Sequence, residues 1–114
     1  MENPAIDSDA YNAVKEAMGD IFVDLIQTFQ DYVPGQINKL GEAIAQSDSE
    51  GVFNAAHAIK SSSGTIGALG LASSAEHIEQ LGRTGSIDGL DQQFENLQNL
   101  YQQAIEFLQR DNGA

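Results

Sequence analysis

Phe22, Ile26, Phe29, Val33, Ile37, Leu40 and Ile44 follow one another at steps of four, three, four, four, three and four residues. That is the α-helical period, held without a slip through the whole run. Pro34 lies inside the stripe and removes one backbone hydrogen bond. Because the stripe keeps phase across the proline, the sequence predicts one long helix, beginning near Asp20 and kinked at Pro34. An apolar face of that length must be buried against partners of similar length.

Those partners are present. A weak first helix is predicted over 7–18, capped by Asp7 or Ser8, with Ala10, Ala13, Val14 and Ala17 as its apolar face and Gly19 as its end. After a turn at 47–49, with Asp48 or Ser49 as cap, a third helix carries Val52, Ala56, Ile59, Ser63 and Ile66, closed by Gly67 and Gly70. A fourth runs over 71–81 with Leu71, Ala75, Ile78 and Gly82 on one face, followed by a glycine-rich loop over 82–89. A fifth, over 91–110, carries Leu90, Phe94, Leu97, Tyr101, Ala104, Ile105 and Leu108. Tyr11, Tyr32 and Tyr101 read as core or core-edge, and the closing "DNGA" as a frayed end. No β-branched alternation supports a strand. The fold expected is all-α: an antiparallel four-helix bundle with a short N-terminal helix as a lid, in a single domain spanning 1–114.

Charge narrows the function. Seventeen acidic residues against five basic ones give a formal charge of −12, which disfavours nucleic acid and anionic lipid as partners. There are no cysteines, which suits a reducing compartment and excludes thiolate metal sites. No apolar run approaches the ~20 residues of a membrane span and no leader is evident, so a soluble, cytoplasmic protein is expected. Nothing at the ends suggests a larger host chain, so a free-standing protein is expected.

The distribution of charge matters more than its sum. Between residues 51 and 75 there is no Asp or Glu, and Lys60 is the one formal charge. On a helical wheel His57 lies about 140° from the centre of its own core stripe, with Lys60 and Gly64 on the same side and Phe53 one turn earlier. The wheel therefore puts His57 at the surface. Gly64 costs about 1 kcal/mol in mid-helix relative to Ala, with no turn to account for it. An accessible imidazole on a low surface beside a cation suits a nucleophile that carries phosphate, and a neighbouring carboxylate would repel the incoming group. His77, some 120° off its helix's stripe, reads as an ordinary surface residue. The two histidines, on different helices and without further nitrogen or sulfur ligands, make no metal site. No glycine-rich phosphate loop follows a strand, and no serine sits in a glycine-framed elbow.

The ordered set His57, Ile59, Lys60, Ser61, Ser62, Ser63, Gly64 and Gly67-Ala68, with Ile78-Glu79 further on, resembles the histidine-containing phosphotransfer domain of bacterial and plant phosphorelays. The run "DLIQTFQDYVPGQINKLGEAI" is similar to that family's long second helix, proline included. The resemblance implies that His57 is the phosphoacceptor through Nε2, that Lys60 screens the phosphoryl charge, and that Gly64 keeps room for a partner. It implies that Glu79 holds Nδ1–H, against the plainer reading of Glu79 as a solvated carboxylate. Phe53, Ala56, Ser61 and Gly64 would form the docking surface. Ser61 stands where many members have Gly, and either narrows the approach to His57 or supplies a hydrogen bond to phosphate. The implied partners are receiver domains of a hybrid sensor kinase or a response regulator. The implied protein is a monomeric phosphohistidine carrier, not an enzyme, with no cofactor of its own and Mg²⁺ only in the receiver. The competing expectation is a non-catalytic helical adaptor that binds its partner through the same patch with His57 inert.

Overall fold

The computed structural model describes residues 3–112. Its elements are α1 (Ser8–Met18), a 3-10 turn (Gly19–Ile21), α2 (Phe22–Ala45), α3 (Ser49–Thr65), α4 (Leu69–Thr84) and α5 (Asp91–Asn112). No strand occurs among the described residues. Helices α2 to α5 pack in a ring, each against the next and α5 back against α2, and their short connections make neighbours antiparallel. No described helix is long and apolar enough to cross a membrane.

The long stripe lies on one uninterrupted helix that contains Pro34. Phe22, Ile26, Phe29, Val33, Ile37 and Leu40 are buried on it. They meet Val52 and Ile59 of α3, Leu71, Ala75 and Ile78 of α4, and Leu97, Ala104 and Leu108 of α5 in one core. Each fully buried Leu or Ile contributes about 1.5–3 kcal/mol through apolar burial. Ile44, expected to end the stripe, is only half-buried and Ala43 takes its place. The reason is local: Gly51, at the start of α3, comes so close that a Cβ there would stand 3.0 Å from Ala43 Cβ. Helix α3 starts at Asp48, whose Oδ1 accepts from the Gly51 amide at 3.0 Å.

Two expected boundaries move at glycines: Gly70, expected to close α3, and Gly82, expected both on the core face of α4, where it lies, and at the start of the loop after it. Gly70 does not close α3; it lies in the first turn of α4, where a Cβ would stand 1.9 Å from the Pro4 carbonyl oxygen. That closeness lets the Ala5 carbonyl accept from the Gly70 amide at 3.1 Å, serving an α4 N-terminus that has no side-chain cap. Gly82 does not end α4 either. It is buried inside the helix against α3, and α4 runs on to Thr84, where Gly85 closes it in the left-handed conformation (φ +78°).

Helix α1 closes one end of the bundle. Its buried residue is Tyr11, with Val14 and Met18 packed behind it, whereas Ala13 and Ala17 of the expected face are exposed. The Tyr11 ring stands edge-on to Phe22 of α2 and Phe107 of α5. Its hydroxyl donates to Asp111 Oδ2 at 2.6 Å, and Lys15 Nζ donates to the same oxygen at 2.9 Å. Asp111 and Asn112 are therefore part of α5 and anchored, not frayed; residues 113–114 lie outside the described part. Tyr32 also departs from expectation: it is 46% exposed, lining a groove of about 340 Å³ between α2 and α3 with Gln36, Lys39 and Asn54.

Candidate functional site

The site sits beside a close approach of α3 and α4. A Cβ on Gly82 would stand 2.8 Å from the Phe53 backbone nitrogen and 3.1 Å from its Cα, so only glycine lets the two backbones meet at this separation. One turn before Gly82, Glu79 projects from α4 towards α3; one residue after it comes Arg83.

Glu79 is 1% exposed, which excludes the solvated reading. Its Oε2 lies 2.5 Å from His57 Nδ1, and its Oε1 accepts from Lys60 Nζ at 2.9 Å. Burial alone would push this carboxyl up. The hydrogen bonds from Lys60 and His57 and their charge outweigh it, holding the group below its ordinary range. Glu79 is thus ionised at neutral pH and can only accept, so the imidazole proton must be on Nδ1. Nε2, at the opposite edge of the ring, has no hydrogen bond from the described residues, and the His57 side chain is 58% exposed.

The sequence suggested a patch cleared of carboxylates. In space this holds for α3 itself but not for the α4 side chains beside it. Glu79 lies beneath the imidazole, on the Nδ1 side, and the exposed Glu76 carboxylate stands 3.9 Å from Lys60 Nζ. A carboxylate below the ring does not repel an anion approaching Nε2; it compensates the positive charge the ring acquires when Nε2 bonds to an electrophile.

Around the imidazole, Ser61 and Gly64 are exposed, and a Cβ on Gly64 would meet nothing within 4 Å. Phe53 is half-buried; its ring lies 5.9 Å from that of His57 at an interplanar angle of 12°. Ala56, expected on the docking surface, is fully buried and cannot form part of it. The helical wheel had also put it on the core stripe, and that placement is the one the packing follows. Arg83 was not anticipated: its guanidinium carbon lies 5.5 Å from the Phe53 ring centroid. The available signal was the spacing Glu79, Gly82, Arg83, which puts all three on one side of α4. His77 is exposed and away from the cluster, and no group of three or more His, Asp or Glu able to hold a metal occurs among the described residues.

Comparison with known proteins bears on the family and the fold. The family model for the Hpt domain matches residues 24–107, well over half of the chain. Among solved structures, the crystal structure of histidine-containing phosphotransfer protein B (HptB) from Pseudomonas aeruginosa PAO1 is similar, with a TM-score of 0.86. The two chains are 23% identical, and the match covers 99% of each. No curated protein matches the sequence.

Proposed function

Since the chain belongs to the Hpt domain family, whose members carry out histidine phosphotransfer in phosphorelays, we propose that His57 is its phosphoacceptor, taking a phosphoryl group from one receiver domain and passing it to another. The Nε2 lone pair attacks phosphorus of a receiver's aspartyl phosphate. The N–P bond forms as the P–O bond to the aspartate breaks, and the aspartate leaves as carboxylate. The proton on Nδ1 stays where it is, so the phosphorylated ring is cationic, and the Glu79 carboxylate stabilises that charge through the same hydrogen bond. Lys60, held by Glu79, has further N–H groups to turn towards the phosphoryl oxygens. Delivery to a second receiver reverses these steps.

The observation that carries this reading is the Glu79–His57 pair: a buried acceptor fixing one ring nitrogen while the other is left outward. Gly64 and Ser61 supply open surface for docking, and Phe53 borders it. Mg²⁺ belongs to the receiver, and the chain acts in the cytoplasm as a monomeric carrier without autokinase activity. The missing hydrogen bond at Pro34 bends α2 without ending it.

Incubation with a phosphorylated receiver tests the proposal. Wild type acquires an acid-labile label and the His57→Gln variant none. No label on wild type, or equal label on the variant, refutes it. Gly64→Leu should block labelling by the receiver while leaving the helical circular dichroism intact.

A further inference from the structure

His57 is held by one strong contact, and one contact leaves a swivel. The Nδ1–Glu79 bond fixes a single edge of a ring whose side chain is 58% exposed, so it does not by itself set the direction of Nε2. The Phe53 ring, one turn earlier on α3, lies almost parallel to the imidazole, 12° apart in plane with centroids 5.9 Å apart. That separation falls within the roughly 4.5–7 Å over which aromatic rings interact. Phe53 is in turn held from α4 by Arg83, 5.5 Å from its centroid, and its backbone is pressed against Gly82. Arg83, Phe53 and His57 form a ladder that borders the imidazole on a side Glu79 does not touch.

Building on the phosphoacceptor reading above, we infer that Phe53 is a positioning residue for phosphoryl transfer and Arg83 the clamp that holds it. Phe53 restricts rotation of the imidazole so that Nε2 stays aligned with an in-line phosphorus. Arg83 acts by fixing the Phe53 ring. This differs from a docking role, because positioning acts on the ring whatever the donor.

Phosphoramidate, a small donor that needs no docking surface, separates the two. The Phe53→Leu variant should be labelled by phosphoramidate about tenfold more slowly than wild type, an alignment effect. Arg83→Gln should be slowed about threefold, in line with loss of one exposed cation–π contact. Phe53→Tyr should restore the rate. With a phosphorylated receiver, the Phe53→Leu loss should fall mainly in kcat, with a smaller change in KM from its place at the border of the docking surface. Nitrogen-15 spectra of the imidazole should show the Nδ1–H form in both wild type and Phe53→Leu, because Glu79 still sets the tautomer and only the direction of Nε2 is lost. A wild-type phosphoramidate rate in Phe53→Leu, or a loss confined to KM for the receiver, overturns the positioning role. A loss in Arg83→Gln seen only with the receiver overturns the clamp. Absence of any label on wild type His57 overturns the phosphoacceptor reading itself, a result distinct from these.

Discussion

Two carboxylates in this molecule do the same thing at opposite levels of exposure. At the lid, Asp111 of α5 accepts from Tyr11 and Lys15 of α1. At the site, Glu79 of α4 is paired with His57 and Lys60 of α3. In each case one acid ties a ring and an ammonium group from another helix, and in each the carboxyl is held below its ordinary range. At the lid the acid is partly exposed and the ring is buried, Tyr11 being 1% exposed. At the site the acid is buried and the ring faces outward. The lid arrangement fastens two elements and has nothing left to offer. The site arrangement fastens one edge of a ring and leaves the other edge outward, without a hydrogen bond from the described residues.

The comparison breaks most strongly at Glu79. Hydrogen bonds to charged groups contribute about 1.5–3 kcal/mol, so Glu79→Gln should slow phosphotransfer by roughly 10–100-fold. Stopped-flow or radiolabel kinetics against a phosphorylated receiver would measure it. Gly82→Ala comes next. Its new methyl must push α4 from α3, costing about 1–3 kcal/mol in urea unfolding, and it should also slow transfer because Glu79 moves with α4.

Asp111→Asn should have the smallest effect, about 1 kcal/mol after allowance for solvent screening, with transfer unchanged. Its pH dependence sharpens the contrast. The Asp111 carboxyl is lowered by the Tyr11 hydrogen bond first and the Lys15 bond second, so its stabilisation is fully present above the ordinary value of 3.8. It is lost as pH falls through the lowered value. Wild type and Asp111→Asn should therefore differ in stability at neutral pH and converge in strong acid, as read by urea midpoints.

Sequence periodicity was a reliable guide for most large apolar residues, although Ile44, Phe94, Tyr101 and Ile105 end only half-buried. Phe29, Val33, Leu40, Ile59, Leu71, Ile78 and Leu97 all lie in the core their spacing predicted. It misled where a small residue mattered for closeness. Gly70 and Gly82 look like helix ends in one dimension; their function, to let Pro4 and Phe53 approach, depends on chain segments far away in sequence. The α1 face held at Ala10 and Val14 and failed at Ala13 and Ala17 for a related reason: alanines suggest a face weakly, and the single large ring, Tyr11, decided which side turned inward. At the site, the wheel found an exposed His57 and an open Gly64 because both follow from one helix alone. The burial of Glu79 and the approach of Arg83 depend on how α4 sits against α3, which no single helix encodes.

The capping of α4 by the Ala5 carbonyl bears on how the molecule can be divided. The segment 24–107, which the Hpt family model matches, contains His57, Lys60, Glu79, Phe53 and Arg83 but neither Ala5 nor Asp111. A fragment excised at those limits would hold every side chain of the candidate site, yet the first amides of α4 would lose their acceptor and Phe22 and Tyr11 would be gone from the end of the core. Fraying that begins there would travel down the helix that bears Glu79, so the head of the chain sets how firmly the His57 ring is held.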